Sequence, residues 1–566
     1  MTFEEFAEKY SLSLTAQQRE AVVRTEGPVL LLAVPGSGKT TVLVAKLGYM
    51  IHCCGIPAEN ILTMTYTIAA TADMKARFCL FFGEKSASGL QFRTINGVCA
   101  KIIQSYERTM VRTSFELLTD EKEIARLLSS IYKNVTGQFA TESDIKNLRA
   151  LITYAKNMML SENEIKNLDE KEEHFSEIYK KYASELKNHH FMDYDDQMVY
   201  AYRILQKYPP ILERLRKQYP YICVDEAQDT SKIQHAIISL LAGKNGNLFI
   251  VGDEDQSIYG FRAAYPEALV NFEKEHEHAK VLLMEENFRS NAKIVRAADK
   301  FISANFFRHA KSIKPARGEG SDIKEIALPG RNAQYSHLLN IAENCKKETA
   351  VLYRDNENVL PIVDLLERNN IPYKIKNTDY TFFSHRVVQD ISNIMLFAYD
   401  PRNTELFLQI YYKVSTYLNK ASALAACEIS ARTGIPVLDA ALMHGNLTTG
   451  TEKSCREIKA HLDSLVTERA DNAVFRIAHH MGYNDYLGRM GISTNKVSIL
   501  ESIGAGQENA AALLKRLTEL CEILKEKRPC GENFILSTIH SSKGLEYDSV
   551  YMLDVCDGIF PETVIK

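Results

Sequence analysis

A short glycine-rich run constrains this chain more than any other feature. Residues 33–41 read AVPGSGKTT, after the apolar run PVLLLAV (28–34) and before the amphipathic stretch TVLVAKLGYM (41–50). The first run predicts a buried strand and the second a helix. A glycine turn from strand to helix presents backbone N–H groups and the positive end of the helix dipole to an anion. The sequence therefore predicts an α/β fold with a phosphate-binding loop.

The loop matches the phosphate-contacting part of the pattern GxxxxGK[ST], although Ala33 replaces its first glycine. Gly36 and Gly38 would let the backbone curl round the phosphates, and Lys39 would reach the β and γ phosphates. Thr40 would supply a hydroxyl for Mg²⁺. An ordinary glycine-rich turn is the alternative, disfavoured because strand, loop and helix agree. The candidate ATP-binding residues here are Ala33, Pro35, Gly36, Ser37, Gly38, Lys39, Thr40 and Thr41.

An acidic pair follows another apolar run in YICVDEAQDT (221–230). Asp225 would hold Mg²⁺ through water, and Glu226 would polarise the attacking water as general base. The alternative is a solvated acidic turn at the surface. Together with the loop, the pair predicts ATP and Mg²⁺ as cofactors, with Thr40 and Asp225 as the metal-binding residues.

Further apolar runs predict two parallel sheets. The first set is 28–34, 59–67, 221–227, 247–253 and 281–288, and the second is 323–328, 349–354, 533–540 and 549–555. Two stretches, 105–190 and 385–528, are rich in Lys, Glu, Leu and Ala at helical spacing. The chain is therefore expected to hold two α/β units with mainly helical insertions.

Composition narrows the possible partners and location. The 566 residues suffice for about three to four domains, and the net charge of −4 requires any nucleic-acid site to be local. The eleven cysteines show no zinc-binding spacing. The acidic N-terminus has no apolar signal core, and no apolar run approaches the roughly 18 residues of a membrane span. We expect a soluble cytoplasmic protein with no membrane partner.

Six motifs, in order, resemble those of the UvrD/Rep/PcrA helicases over nearly the whole chain. Besides the phosphate-binding loop they are LTAQQREAV (14–22), ILTMTYTIAATADMKARF (61–78), VDEAQDT (224–230), VGDEDQSIYGFRAA (251–264), LMEENFRS (283–290) and LSTIHSSKGLEYDSVYMLDVCDGIFPE (536–562). The resemblance implies two RecA-like P-loop NTPase lobes with parallel sheets, each interrupted by a mainly helical insertion domain. The implied segments are 1–104, 192–290, 291–382 and 531–566 for the lobes, and 105–191 and 383–530 for the insertions.

The resemblance also implies roles around the nucleotide. Gln18 would recognise adenine and Phe288 would stack on it. Gln256 would sense the γ phosphate, and Arg289 would act as an arginine finger. Gln256 and Arg289 complete the predicted catalytic set, whose other members are Lys39, Asp225 and Glu226. The second lobe would close on the nucleotide through Lys543, Gly544 and Glu546.

The same resemblance implies contacts with single-stranded DNA. The candidates are Tyr66, Thr94, Asn96, Tyr259, Phe261, Arg262, Thr538 and His540. Tyr66 and Phe261 would stack on bases, with core packing as the alternative for each. Phe261 stands where the family has tryptophan, and Thr94 and Asn96 lie in a motif that lacks its usual aromatic residue.

An ATP-dependent 3′–5′ DNA helicase or translocase is the implied activity, in DNA repair or replication. Its partners would be single-stranded and partially duplex DNA and accessory proteins of repair or replication. The family's motif VI, with a second arginine, is not found before Lys566, so a C-terminally truncated chain is expected. The alternative is a hydrolysis-impaired, ATP-gated DNA-binding module. RNA as the track also stays open.

Overall fold

The computed structural model describes residues 1–111, 115–244, 246–376, 380–526 and 533–561, and of residues 142 and 143 the backbone only. The chain divides into two compact units, residues 1–324 and 325–566. The division into six segments stays a prediction, and its boundary at 530/531 lies outside the described residues.

A six-stranded parallel sheet forms the centre of the first unit. Its strands are β1 (Val29–Ala33), β2 (Ile61–Thr65), β3 (Gln91–Thr94), β6 (Tyr221–Val224), β7 (Asn247–Gly252) and β8 (Lys280–Met284). The spatial order is β3-β2-β6-β7-β1-β8, and every pairing is parallel. Two short parallel pairs accompany it: β4 (Glu116–Leu117) with β5 (Phe191–Met192), and β9 (Glu286–Asn287) with β10 (Lys314–Pro315).

Both faces of this sheet are buried, since side chains alternate between the two faces along each strand and each set lies in an apolar core. Leu30 and Leu32 of β1 lie in one core, together with Ala201. Leu31 lies in the opposite core with Val42. A strand with both faces buried reads as an uninterrupted apolar run, which is why the sequence revealed it.

The first unit has fifteen helices, counted over its described residues. They are α1 (Phe3–Lys9), α2 (Ala16–Val23), α3 (Lys39–His52), α4 (Ile68–Ala87), α5 (Ile95–Met110), α6 (Glu121–Thr136), α7 (Glu142–Asn157), α8 (Glu162–Asn167), α9 (Phe175–Asn188), α10 (Tyr194–Lys207), α11 (Pro209–Gln218), α12 (Lys232–Ala242), α13 (Glu267–Val270), α14 (Phe272–Glu275) and α15 (Ala292–Ile302). Helices α6 to α9 enclose their own apolar core, which includes Leu128, Leu148 and Phe175. This cluster lies within the stretch that the sequence predicts to be a helical insertion.

The second unit has a four-stranded parallel sheet and a larger helical part. Its strands are β11 (Thr349–Tyr353), β12 (Lys374–Ile375), β13 (Phe534–Thr538) and β14 (Ser549–Met552), in the order β12-β13-β11-β14. Its helices are α16 (Arg331–Glu343), α17 (Leu360–Arg368), α18 (Thr381–Ser384), α19 (Arg386–Tyr399), α20 (Thr404–Ile410), α21 (Lys420–Thr433), α22 (Val437–His444), α23 (Thr449–Leu465), α24 (Ala470–Phe475), α25 (Tyr483–Arg489), α26 (Asn495–Gly504) and α27 (Ala510–Lys525). One apolar core joins the sheet to these helices.

The predicted fold class is confirmed: two α/β lobes with parallel sheets, accompanied by helical regions. One predicted strand is wrong, because residues 323–328, all of them described, form no strand. Ile323 and Ile326 are more than half exposed there, so the run lacks the burial that a strand of a covered parallel sheet requires. Among the described residues no helix combines the length and apolar character needed to cross a membrane.

Candidate functional site

The candidate residues of the first unit gather at one edge of its sheet. Parallel strands all end at the same edge, where open α/β sheets bind their ligands. The phosphate-binding loop follows β1, Asp225 follows β6, and Gln256 lies four residues beyond β7. Phe288 directly follows β9, the short strand after β8. Strand polarity therefore brings together residues that are more than two hundred positions apart in the chain.

The phosphate-binding loop is shaped by its two glycines. Gly36 has φ 69° and Gly38 has φ 83°, values that favour glycine. Ser37 closes the turn, since its N–H and its hydroxyl both donate to the Val34 carbonyl, at 3.2 and 2.7 Å. Helix α3 then begins at Lys39 with no side-chain cap from the described residues, so its first N–H groups face the loop. This is the geometry of an anion site.

Lys39 contacts two of the other predicted catalytic residues. Its ammonium donates to Oε1 of Gln256 at 3.1 Å and lies 3.7 Å from Oε1 of Glu226. The Lys39 side chain is only 10% exposed. Because little water reaches these contacts to screen them, the lysine and its partners form one charged cluster beside the loop.

Asp225 is a buried carboxyl with a strongly raised pKa beside this cluster. Burial and then the neighbouring charge of Glu226 raise the pKa of Asp225 to about 7, against a smaller opposing effect of Lys39. The Glu226 N–H donates to Oδ1 of Asp225 at 3.0 Å. A buried carboxylate whose charge is this costly suits a divalent cation, and its oxygen chemistry together with the Thr40 hydroxyl fits Mg²⁺. Asp225 and Thr40 would hold that ion.

Asn287, to which the sequence patterns assign no role, fixes Phe288 and Arg289 against the loop. Its side-chain amide donates to the Pro35 carbonyl at 2.7 Å, and its Oδ1 accepts the N–H of Arg289 at 2.9 Å. The Phe288 N–H donates to the Gly36 carbonyl at 2.9 Å. The one sequence signal for this role of Asn287 is its position directly before Phe288, the predicted adenine-stacking residue. The Phe288 ring is 40% exposed and so is available to a ligand.

Gln18 also contacts the loop. Its side-chain amide donates to the Ser37 carbonyl at 3.0 Å, and its carbonyl oxygen accepts the N–H of Thr15 at 3.0 Å. The second bond belongs to a capping box at the start of α2. Helix α2 thereby places Gln18 beside the loop. Ala33 and Ser37 are buried, and Thr41 lies in the first turn of α3.

A cluster of rings lies beyond the ends of β2 and β7, at the same sheet edge. Tyr66 and Tyr259 are stacked with centroids 6.5 Å apart and planes at 14°. Phe261 meets Tyr259 edge-on at 6.1 Å. The guanidinium of Arg262 lies 5.5 Å from the Tyr259 and Phe261 ring centroids. Phe261 is 59% exposed, which excludes core packing for it, whereas Tyr66 is half-buried.

Thr94 and Asn96 lie where β3 turns into α5. The Thr94 hydroxyl accepts the Gly97 N–H at 3.1 Å and caps the helix, and Asn96 stands in its first turn. In the second unit, the Thr538 hydroxyl donates to Ser541 Oγ at 2.8 Å and is buried.

The other second-unit candidates follow β13 on the same loop. His540 starts a short 3₁₀ helix, Lys543 directly follows that helix, Gly544 has φ 79°, and Glu546 is exposed. These four residues and Thr538 therefore form one local group within their own unit.

Comparison with known proteins identifies the family. Residues 14–277 match the family model of the UvrD/REP helicase N-terminal domain, and residues 282–527 and 495–566 match the UvrD-like helicase C-terminal domain. The chain is 29% identical to the putative ATP-dependent DNA helicase YjcD of Bacillus subtilis, over 97% of this chain and 74% of that protein. It is 28% identical to the ATP-dependent DNA helicase PcrA of Staphylococcus epidermidis, over 97% and 78% of the two chains. It is 27% identical to the ATP-dependent DNA helicase Rep of Escherichia coli, over 97% and 86%.

Both halves of the chain are matched by helicase domains, and the phosphate-binding loop, the acidic pair and the ring cluster share one sheet edge in the first half. The chain therefore belongs to the UvrD-like helicase family.

Proposed function

We propose that this protein is an ATP-driven DNA helicase that moves 3′ to 5′ on single-stranded DNA and displaces the complementary strand. One observation carries the proposal. A single segment after β7 holds both Gln256, which contacts Lys39, and Tyr259, which belongs to the ring cluster. A change in the nucleotide pocket would therefore reach the nucleic-acid contact within three residues.

ATP hydrolysis is assigned to the residues around the loop. The N–H groups of the loop and the Lys39 ammonium would bind the phosphates, and the Arg289 guanidinium would neutralise charge on the γ phosphate. Glu226 would accept a proton from the attacking water. Mg²⁺, which Thr40 and Asp225 would hold, would supply positive charge that neutralises the phosphates. Phe288 and Gln18 would contact the adenine.

DNA binding is assigned to the ring cluster and its neighbours. Stacking of a base on an aromatic ring contributes about 1 to 3 kcal/mol and tolerates any sequence. Arg262 adds a positive charge beside the rings, which allows local DNA binding by a chain with a net charge of −4. Thr94 and Asn96 would contact backbone phosphates. In the second unit, Thr538 and His540 would contact DNA and Lys543, Gly544 and Glu546 the nucleotide.

The relatives named above as ATP-dependent DNA helicases support the substrate class. We extend the proposal to single-stranded and partially duplex DNA as the track, to work in repair or replication with accessory proteins, and to a cytoplasmic location. The division into two lobes and two insertions at the boundaries given above belongs to the same proposal.

The test combines ATP turnover with strand displacement. We expect single-stranded DNA to stimulate ATP hydrolysis. We expect Lys39→Ala to abolish hydrolysis, because water and the loop N–H groups alone do not neutralise the phosphate charge that the lysine would compensate. Lys85→Ala, a change at an exposed lysine near the end of α4, is the matched control and should turn over normally. Undiminished turnover by Lys39→Ala would refute the assignment.

Polarity is read from labelled duplexes that carry a single-stranded tail at either the 3′ or the 5′ end. The proposed direction predicts displacement from the 3′-tailed duplex only. Displacement from the 5′-tailed duplex alone would contradict it. Nucleotide-dependent DNA binding without turnover would favour an ATP-gated binding module instead.

A further inference from the structure

A buried lysine behind the nucleotide site lies outside all the motifs identified above. Lys311 lies between α15 and β10, and its side chain is only 1% exposed. Its ammonium donates a hydrogen bond to Oδ1 of Asp253, and it lies 2.9 Å from a Glu254 carboxylate oxygen and 3.1 Å from one of Asp255. These three carboxylates immediately precede Gln256 in the chain. The lysine therefore holds the segment that carries Gln256.

Two neighbours of the lysine secure the same carboxylates. Arg308 donates to both oxygens of Asp255, its Nε at 2.9 Å from Oδ1 and its Nη2 at 2.7 Å from Oδ2. The His309 N–H donates to Oε1 of Glu254 at 2.8 Å. Burial opposes the charge of Glu254, but the hydrogen bonds from His309 and the charge of Lys311 outweigh it and lower the pKa of Glu254 to about 2.

Asp253 transmits the position of the lysine to Gln256. Its Oδ1 accepts from Lys311, and its Oδ2 accepts from Nε2 of Gln256 at 2.6 Å. A charged carboxylate can only accept, so Gln256 must turn its NH₂ group to Asp253 and its carbonyl oxygen to Lys39, 3.1 Å away. The reversed amide would place oxygen against carboxylate and NH₂ against ammonium, so both contacts would become repulsive.

We propose that Lys311 is a positioning residue for ATP hydrolysis, acting through Asp253 to hold the Gln256 side chain in one orientation beside Lys39. The inference rests on the proposed function. Without Lys311, the buried Asp253 loses its counter-charge and the hydrogen bond to its Oδ1, so the carboxylate is no longer held in place against Gln256. Gln256 is then no longer fixed. Nucleotide binding through the loop persists, because Lys311 has no part in that loop.

A double-mutant cycle in the full chain tests this coupling. The kinetics of DNA-stimulated ATP hydrolysis are measured for the unaltered chain, Lys311→Met, Gln256→Ala and the double variant. Residues that orient the ligands of a metal ion typically contribute about 10- to 100-fold to activity, and we take the same order for Lys311. We expect Lys311→Met to lower kcat by that factor with the KM for ATP nearly unchanged. In the Gln256→Ala background the same substitution should change kcat by less than about twofold.

An equal loss of kcat in both backgrounds, or no loss in either, would overturn the inference. Lys413→Met is the matched control, because Lys413 is also buried and donates to Asp390 at 2.6 Å in the second unit. Lys413→Met should retain the kcat of the unaltered chain per folded molecule. If Lys413→Met lost as much kcat as Lys311→Met, general destabilisation would explain both losses and the inference would be wrong. If Lys311→Met fails to fold, Asp253→Asn replaces it in the cycle with the same expectation. Absence of turnover in the unaltered chain would defeat the proposed function itself.

Discussion

Replacement of Gly36 by alanine is expected to separate the phosphate-binding loop from the segment that carries Arg289. Gly36 has φ +69°, and a Cβ there would lie 2.7 Å from Cβ of Arg289 and 3.1 Å from Nδ2 of Asn287. Ordinary carbon contacts are about 3.5 to 4.0 Å. The two segments would therefore have to move apart by about 1 Å, against the hydrogen bond from Asn287 to the Pro35 carbonyl.

Two effects sum to the expected loss of stability. An alanine in the left-handed region costs about 1 to 2 kcal/mol, and overpacking of a close contact costs about 1 to 3 kcal/mol. The free energy of unfolding should thus fall by about 2 to 5 kcal/mol. Misplacement of a catalytic group by about 1 Å lowers turnover on the order of 10²-fold. We therefore expect the variant to lose DNA-stimulated hydrolysis at a temperature where it remains folded.

Gly55→Ala is the matched control. Gly55 has the same φ of +69°, but nothing lies within 4 Å of the position that a Cβ would take there, so it isolates backbone strain from the clash. It should lose only about 1 to 2 kcal/mol and keep full turnover. Urea denaturation gives the stability of each variant, and a coupled assay gives its ATP turnover. Equal destabilisation of the two variants, or normal turnover by Gly36→Ala, would refute the reasoning.

Two further predictions concern the ring cluster and a buried histidine. Phe261→Ala should weaken binding of a labelled oligonucleotide by about 1 to 3 kcal/mol. The control is Phe139→Ala, which changes an exposed ring in the α6–α7 connection and should leave the affinity unchanged. Equal affinities of the two variants would show that Phe261 does not belong to the DNA site. Burial lowers the pKa of His235 to about 4, with a smaller contribution from His276, so its contribution to stability is complete above pH 6.5 and is lost as pH falls toward 4. The unaltered chain should lose about 3 kcal/mol more than His235→Leu between pH 7 and pH 4, and parallel pH profiles of unfolding would contradict this.

Local sequence patterns were enough to predict the individual segments that form the candidate site. The runs that became β1, β2, β6, β7 and β8 are apolar because both faces of the sheet are covered. Glycines at positive φ mark the loop at Gly36 and Gly38. The strand prediction at 323–328 was wrong because apolar periodicity cannot report whether a partner strand exists. Ile323 and Ile326 are more than half exposed, so no layer of the described residues buries this run as a strand of a covered parallel sheet requires.

The phosphate-binding loop, the acidic pair after its strand and the order of motifs can be predicted from the amino-acid sequence, because each depends on neighbours a few residues apart. The contact of Asn287 with the Pro35 carbonyl, 252 positions away, and that of Lys311 with Asp253, 58 positions away, can be seen only in the folded chain. Such contacts arise from the order of strands in the sheet and from the packing of the chain after α15. No periodicity or turn signal encodes them, since each partner alone is an ordinary polar side chain or backbone carbonyl.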